Sequence, residues 1–115
     1  MSIKKEIDRD HKLVRVRIDG HFDFSQHKAF RDAYRDVNPQ EGWLFEIDLS
    51  HTTYLDSAAL GMLLLLREHT GEAPGRIRVV NVQPDVHRVL EIANFHRLFD
   101  INGAGSDGSR TDGGR

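Results

Sequence analysis

Apolar and polar residues alternate strictly where Val14, Val16 and Ile18 interleave with Arg15, Arg17 and Asp19, the period of two of a strand with one buried face. Ile3 to Ile7 is the segment expected to pair with it, and Asp10-His11-Lys12 supplies a tight hairpin turn between the two. Gly20 is expected to close the second strand, which leaves His21, Phe22 and Asp23 in the following loop. The period then changes. Ala29, Phe30, Ala33, Tyr34 and Val37 recur at helical spacing, with Ser25 as the expected N-cap, Phe24 as a staple on the helix start, and Asn38-Pro39 as the stop.

Trp43, Phe45, Ile47 and Leu49 alternate with Leu44, Glu46 and Asp48 in a third strand, which delivers the chain to a polar connector from Ser50 to Asp56. A helix is predicted from about Ser57 to Thr70, then a turn from Gly71 to Gly75, then a strand in which Ile77 and Val79 alternate with Arg76 and Arg78. Pro84 and Asp85 open a third helix with Val86, Val89, Leu90 and Ala93 at i, i+3, i+4 and i+7, and Leu98 to Ile101 is a short last strand. The predicted order is β-β-α-β-α-β-α-β, an α/β (mixed α+β) fold without internal repeats. Charge on one face of several strands predicts a mixed β-sheet with helices packed mainly on one face and the other face largely solvated.

The composition fits that picture and narrows it. A chain of 115 residues is one compact domain by size, and 38% hydrophobic residues can supply its core. After Ile101 the sequence NGAGSDGSRTDGGR holds five of the ten glycines and no apolar residue larger than alanine, so the domain is expected to span 1–101 and a disordered Gly/Ser/Asp-rich tail 102–115. The formal net charge of −2, without a block of one sign, lacks the footprint of a dedicated nucleic-acid binder. No cysteine is present, so disulfides, thiolate catalysis and cysteine-ligated zinc are excluded. The longest apolar run, Ala58 to Leu66, is nine residues against the roughly 20 that span a bilayer, so no membrane insertion is expected. The first residues lack the apolar stretch of a secretory signal, and a cytoplasmic location is the expectation.

Candidate chemistry lies where the connector meets the second helix. Ser57, at or beside the N-cap, would stand near unpaired backbone N–H groups and the positive end of the helix dipole, where an added phosphate could gain hydrogen bonds. Next to Asp56 that phosphate, carrying about −1.5 to −2 charge, would also meet like-charge repulsion. The residues alone favour the plainer reading, that Ser57 or Asp56 caps the helix with no further role.

At these residues the chain resembles a known family. Asp56-Ser57-Ala58-Ala59-Leu60-Gly61 is similar to the signature of the STAS domain of single-domain bacterial anti-sigma factor antagonists, an Asp-Ser, two small residues, then Leu-Gly. Gly20-His21-Phe22-Asp23 resembles the turn that ends the family's second strand, and Asn81-Val82-Gln83-Pro84 with Val86 to Leu90 resembles its approach to the third helix. The resemblance covers residues 3 to 101 and implies partner switching. The unphosphorylated antagonist would bind an anti-sigma factor or switch serine kinase, phosphorylation of Ser57 would block binding, and a metal-dependent serine phosphatase would restore it.

By the same match, Asp23 and Asp56 flank the acceptor, while Ala58, Ala59, Leu60 and Met62 belong to the partner-contacting helix start. The subgroup resembled works with phosphorelays that control motility, secretion and biofilm formation. Two departures stand out: Ala58 and Ala59 occupy positions where many members have Ser or Thr and then Gly, and the usual C-terminal helix has no counterpart in Asn102 to Arg115.

Other classes fit less well. A serine hydrolase would need a Gly-x-Ser-x-Gly elbow or a separated triad, and Leu55-Asp56-Ser57-Ala58-Ala59 has neither flanking glycine. His21 and His27 are six apart, His87 and His96 nine apart, and no His-Glu-x-x-His pair exists, so neither catalysis nor a metal or other cofactor is expected. Arg15, Arg17, Arg76 and Arg78 could contact nucleic-acid phosphates, but Glu46 and Asp48 interrupt them and no aromatic partners are predicted beside them. The alternative function is a constitutive STAS scaffold subunit of a signalling or transporter complex, without phosphorylation control.

Overall fold

In the computed structural model, residues 2–73 and 75–103 are described. Strand β1 (Ser2–Asp8) and strand β2 (Leu13–Phe22) form an antiparallel hairpin, and Lys12 takes a left-handed φ of 51° at its turn. Helix α1 (His27–Tyr34), strand β3 (Leu44–Asp48), strand β4 (Thr52–Leu55) and helix α2 (Ser57–His69) come next. Strand β5 (Ile77–Val82), helix α3 (Pro84–Ile92) and strand β6 (Asp100–Gly103) complete the described chain. The sheet order is β1-β2-β3-β5-β6, with β4 paired to β2 off that path, and every pairing except β1 with β2 is parallel.

The period-two pattern decides which face is buried. Val14, Val16, Ile18, Phe45, Ile47 and Val79 are at most 1% exposed and join Phe30, Leu63, Leu66 and Leu90 of the three helices in one core. Each such side chain contributes about 1.5–3 kcal/mol by leaving water. On the opposite face the registers line up Glu6, Arg15, Glu46, Arg78 and Asp100, one residue from each strand of the main path with alternating sign. Glu46 anchors this row: its carboxylate accepts from Arg15 Nε at 2.6 Å and from Arg78 Nη2 at 3.2 Å. Arg17 is likewise held by Asp19, so these arginines are neutralised by neighbours on the sheet itself.

Several sequence expectations need correction. Gly20 does not end β2; with φ of 85° it sits at a bulge, beyond which His21 and Phe22 continue the strand and pair with β4. Strand β4 replaces most of the expected connector. Ser25 does not cap α1: Asp23 caps a 3-10 turn at Phe24–Gln26, and α1 starts only at His27. The carboxylate wins because it accepts from both the Ser25 amide and the Ser25 hydroxyl. Phe24 is 69% exposed and stacks on His27 rather than stapling a helix start. The last strand is displaced from Leu98–Ile101 to Asp100–Gly103, because Phe95–Arg97 forms a 3-10 turn first. Asn102 and Gly103 therefore belong to the sheet, and the remainder of the expected tail, 104–115, lies outside the described residues.

Candidate functional site

The bulge at Gly20 turns the end of β2 toward β4, so that His21 pairs with Tyr54 and Phe22 with Leu55 in parallel register. The residue after each member of the last pair is an aspartate. Asp23 and Asp56 thus leave adjacent parallel strands at the same end of the sheet, with nearly the same extended backbone, φ −136° and −122°. Each carboxylate caps the element that its strand leads into. Asp56 Oδ1 accepts from the Ala59 amide at 3.1 Å and starts α2, while Asp23 Oδ1 accepts from the Ser25 amide at 3.0 Å. The Ser25 hydroxyl, donating at 2.6 Å, is the main reason the Asp23 carboxyl is held below the usual carboxylate range, with the Ser25 amide second.

Ser57 is the first residue of α2 and is exposed. The Ala59 amide is occupied by Asp56 and the Leu60 amide by the Asp56 carbonyl, at 3.1 Å each. Helix geometry leaves the amides of Ser57 and Ala58 without intrahelical acceptors. A charged group on the Ser57 hydroxyl would meet two opposed influences, those amides and the adjacent Asp56 carboxylate. On β4, Tyr54 is 48% exposed and packs its ring against His21 at 5.1 Å between centroids.

The helix phase sorts the remaining expected site residues. Ala59, Met62, Leu63 and Leu66 recur at i, i+3, i+4 and i+7 and are buried in the core, so Ala59 and Met62 have almost no surface to offer a partner. Ala58 is half-buried, and Leu60 is half-buried with its side chain packed against the core. The face that continues outward from Ser57 consists of Gly61, Leu64, Leu65 and Glu68, all exposed. Counting by helical period from Ser57 would have found them; apolarity alone could not, because the run is apolar all round. Among the described residues, no group of three or more His, Asp or Glu is placed to hold a metal ion.

Comparison with known proteins settles the family. The pattern of the family described as Mlab, STAS domain, matches residues 6–100, which includes every strand-end and helix-start residue above. The chain belongs to the STAS-domain family. A STAS-domain containing protein of Pseudomonas aeruginosa is 43% identical over 104 residues, covering 89% of this chain and 100% of that protein. The anti-sigma F factor antagonist of Paenibacillus polymyxa is 22% identical over 102 residues, 88% of this chain and 87% of that one. Among solved structures, the Bacillus cell fate determinant SpoIIAA in its phosphorylated form superposes with a TM-score of 0.66 at 16% identity, over 87% of this chain and 90% of that one. The six strands and three helices are thus a STAS fold, and the Asp56–Gly61 segment lies at the junction of β4 and α2.

Proposed function

We propose that this STAS domain is an anti-sigma factor antagonist working by partner switching. Unphosphorylated, it binds an anti-sigma factor or a switch serine kinase; phosphorylated on Ser57, it releases that partner, and a serine phosphatase resets it. The observation that carries this reading is that Ser57 is exposed at the first position of α2, directly after the capping Asp56, and lies on one helix face with the exposed Gly61, Leu64 and Leu65. A phosphate dianion there would have to be desolvated for any partner to cover the leucines, which removes binding without disturbing the core.

Within this reading Asp23, Asp56, Ala58 and Leu60 frame the docking surface, while Ala59 and Met62 support it from within. The protein has no catalytic role of its own; it frees a sigma factor by sequestering its inhibitor, in a motility, secretion or biofilm programme in the cytoplasm. Among the described residues no helix is long and apolar enough to cross a membrane.

The test is intact-mass measurement of the protein isolated from its host, beside Ser57→Ala and Ser57→Asp, with identification of co-captured proteins. A phosphoryl mass absent from Ser57→Ala, and an anti-sigma factor or kinase captured by wild type and Ser57→Ala but not by Ser57→Asp, is the expected result. Equal capture of one complex by all three forms, with no modification, would replace the switch with a constitutive scaffold.

A further inference from the structure

A second apolar face lies on the outer side of α3, away from the Ser57 site in sequence and unassigned by the proposed function. Val86, Leu90 and Ala93 turn inward, whereas Asp85, Arg88, Val89 and Ile92 fall at i, i+3, i+4 and i+7 on the outward face. Ile92 is 76% exposed, Val89 37%, and Leu98 just beyond the helix 40%. Residues 102–115 hold no apolar side chain larger than alanine with which to cover them.

The charges change sign in order along α3 and into the exposed turn that follows the left-handed Asn94. Asp85 stands at the N-terminal end, Arg88 one turn on, Glu91 near the last turn, and His96 and Arg97 in the 3-10 turn just beyond the helix. Asp85 and Arg88 already approach within 3.9 Å. Laid antiparallel on an identical face, each acid meets a base: Asp85 lies toward His96 and Arg97 of the other copy, Arg88 toward its Glu91, and Val89 and Ile92 cover one another. The two helix dipoles then also run in opposite senses. A parallel arrangement would set like charges together. An isologous two-fold contact is therefore the one that the charge order favours.

We propose that α3 is a self-association face, through which two copies of this chain dock antiparallel with the two-fold axis between Val89 and Ile92. One helix face buries less than the roughly 1,200 Å² of a standard interface, so the dimer is weak and forms at high protein concentration.

Sedimentation velocity on the full chain, from about 10 μM to about 1 mM, tests this; the expected result is a monomer–dimer equilibrium moving through that range. Ile92→Asp should weaken association at least about tenfold, as should Asp85→Arg or Arg97→Asp alone. The double variant Asp85→Arg with Arg97→Asp should restore association to within about threefold of wild type, because each swapped charge meets its swapped partner. Circular dichroism checks folding, and Ile92→Ser serves if Ile92→Asp fails to fold. A monomer throughout the range overturns the proposal. So does a dimer that survives Ile92→Asp, which would place the contact elsewhere, such as the outer edge of β6, and so does failure of the double swap to rescue.

Discussion

The Thr52 hydroxyl donates to the Ile18 carbonyl across 2.7 Å, and Thr52 is fully buried where it does so. This bond fixes the first residue of β4 against the middle of β2, just before β2 bulges at Gly20 to pair with it. Strand β4 has only four residues, and this buried bond adds to its pairing with β2 and to the buried Leu55 in holding the Asp56–Ser57 junction in place. Thr52→Val keeps the shape and removes the donor. The expected cost is about 1–3 kcal/mol, with the melting temperature falling by roughly 4–8 °C per kcal/mol for a domain of this size. Amide exchange at Ala58 and Ala59 should accelerate more than exchange in β3; a uniform change would argue against a local role for the bond.

The two aspartates at the strand ends are structurally alike but cap elements of different length. Asp56 starts a helix of 13 residues, and Asp23 a turn of three. Asp56→Ala should cost about 1 kcal/mol in chemical denaturation, the usual value for a lost N-cap. Asp23→Ala should cost less, because fewer downstream backbone bonds depend on its turn. Equal losses would mean that Asp23 contributes through contacts beyond its cap.

Gly61 has ordinary helical backbone, is exposed, and a methyl group added there would meet nothing within 4 Å. The fold has no need of a glycine at this point. Gly61→Ala should therefore raise stability by about 0.5–1 kcal/mol, read as a higher denaturation midpoint. On the proposed docking face the same methyl group should reduce capture of the partner, so stability and binding move in opposite directions. A variant that neither gains stability nor loses binding would remove Gly61 from that surface.

Asp23 titrates below the usual carboxylate range chiefly because the Ser25 hydroxyl donates to it, and then because the Ser25 amide does. A depressed carboxylate stabilises the folded state at pH above its ordinary value of about 3.9, and that contribution is lost as pH falls through the lower folded value. Ser25→Ala removes the larger cause. Carboxyl-carbon NMR should then show Asp23 titrating closer to its ordinary value, while Asp19, held down mainly by Arg17, stays where it was. An unchanged Asp23 titration would show that the Ser25 amide alone sets it.

What the sequence determined is the part governed by local period and capping chemistry. The alternation of Val14, Val16 and Ile18, and of Phe45 and Ile47, identified two strands and their buried faces, and Pro84 marked the first residue of α3. The helix predicted from about Ser57 starts there, with Ser57 as the first residue of α2.

Tertiary structure decided the rest. Strand β4 has a burial pattern of buried, exposed, exposed, buried, which carries no period of two, and it exists because β2 bends to meet it. That pairing, invisible to any local window, is what sets Asp23 beside Asp56. Apolarity alone did not tell which residues of the run Ala58 to Leu66 face inward, since the run is apolar all round and only the helix start at Ser57 gives it a phase. Only packing against the sheet turned Ala59 and Met62 in, and left Gly61, Leu64 and Leu65 facing water beside Ser57.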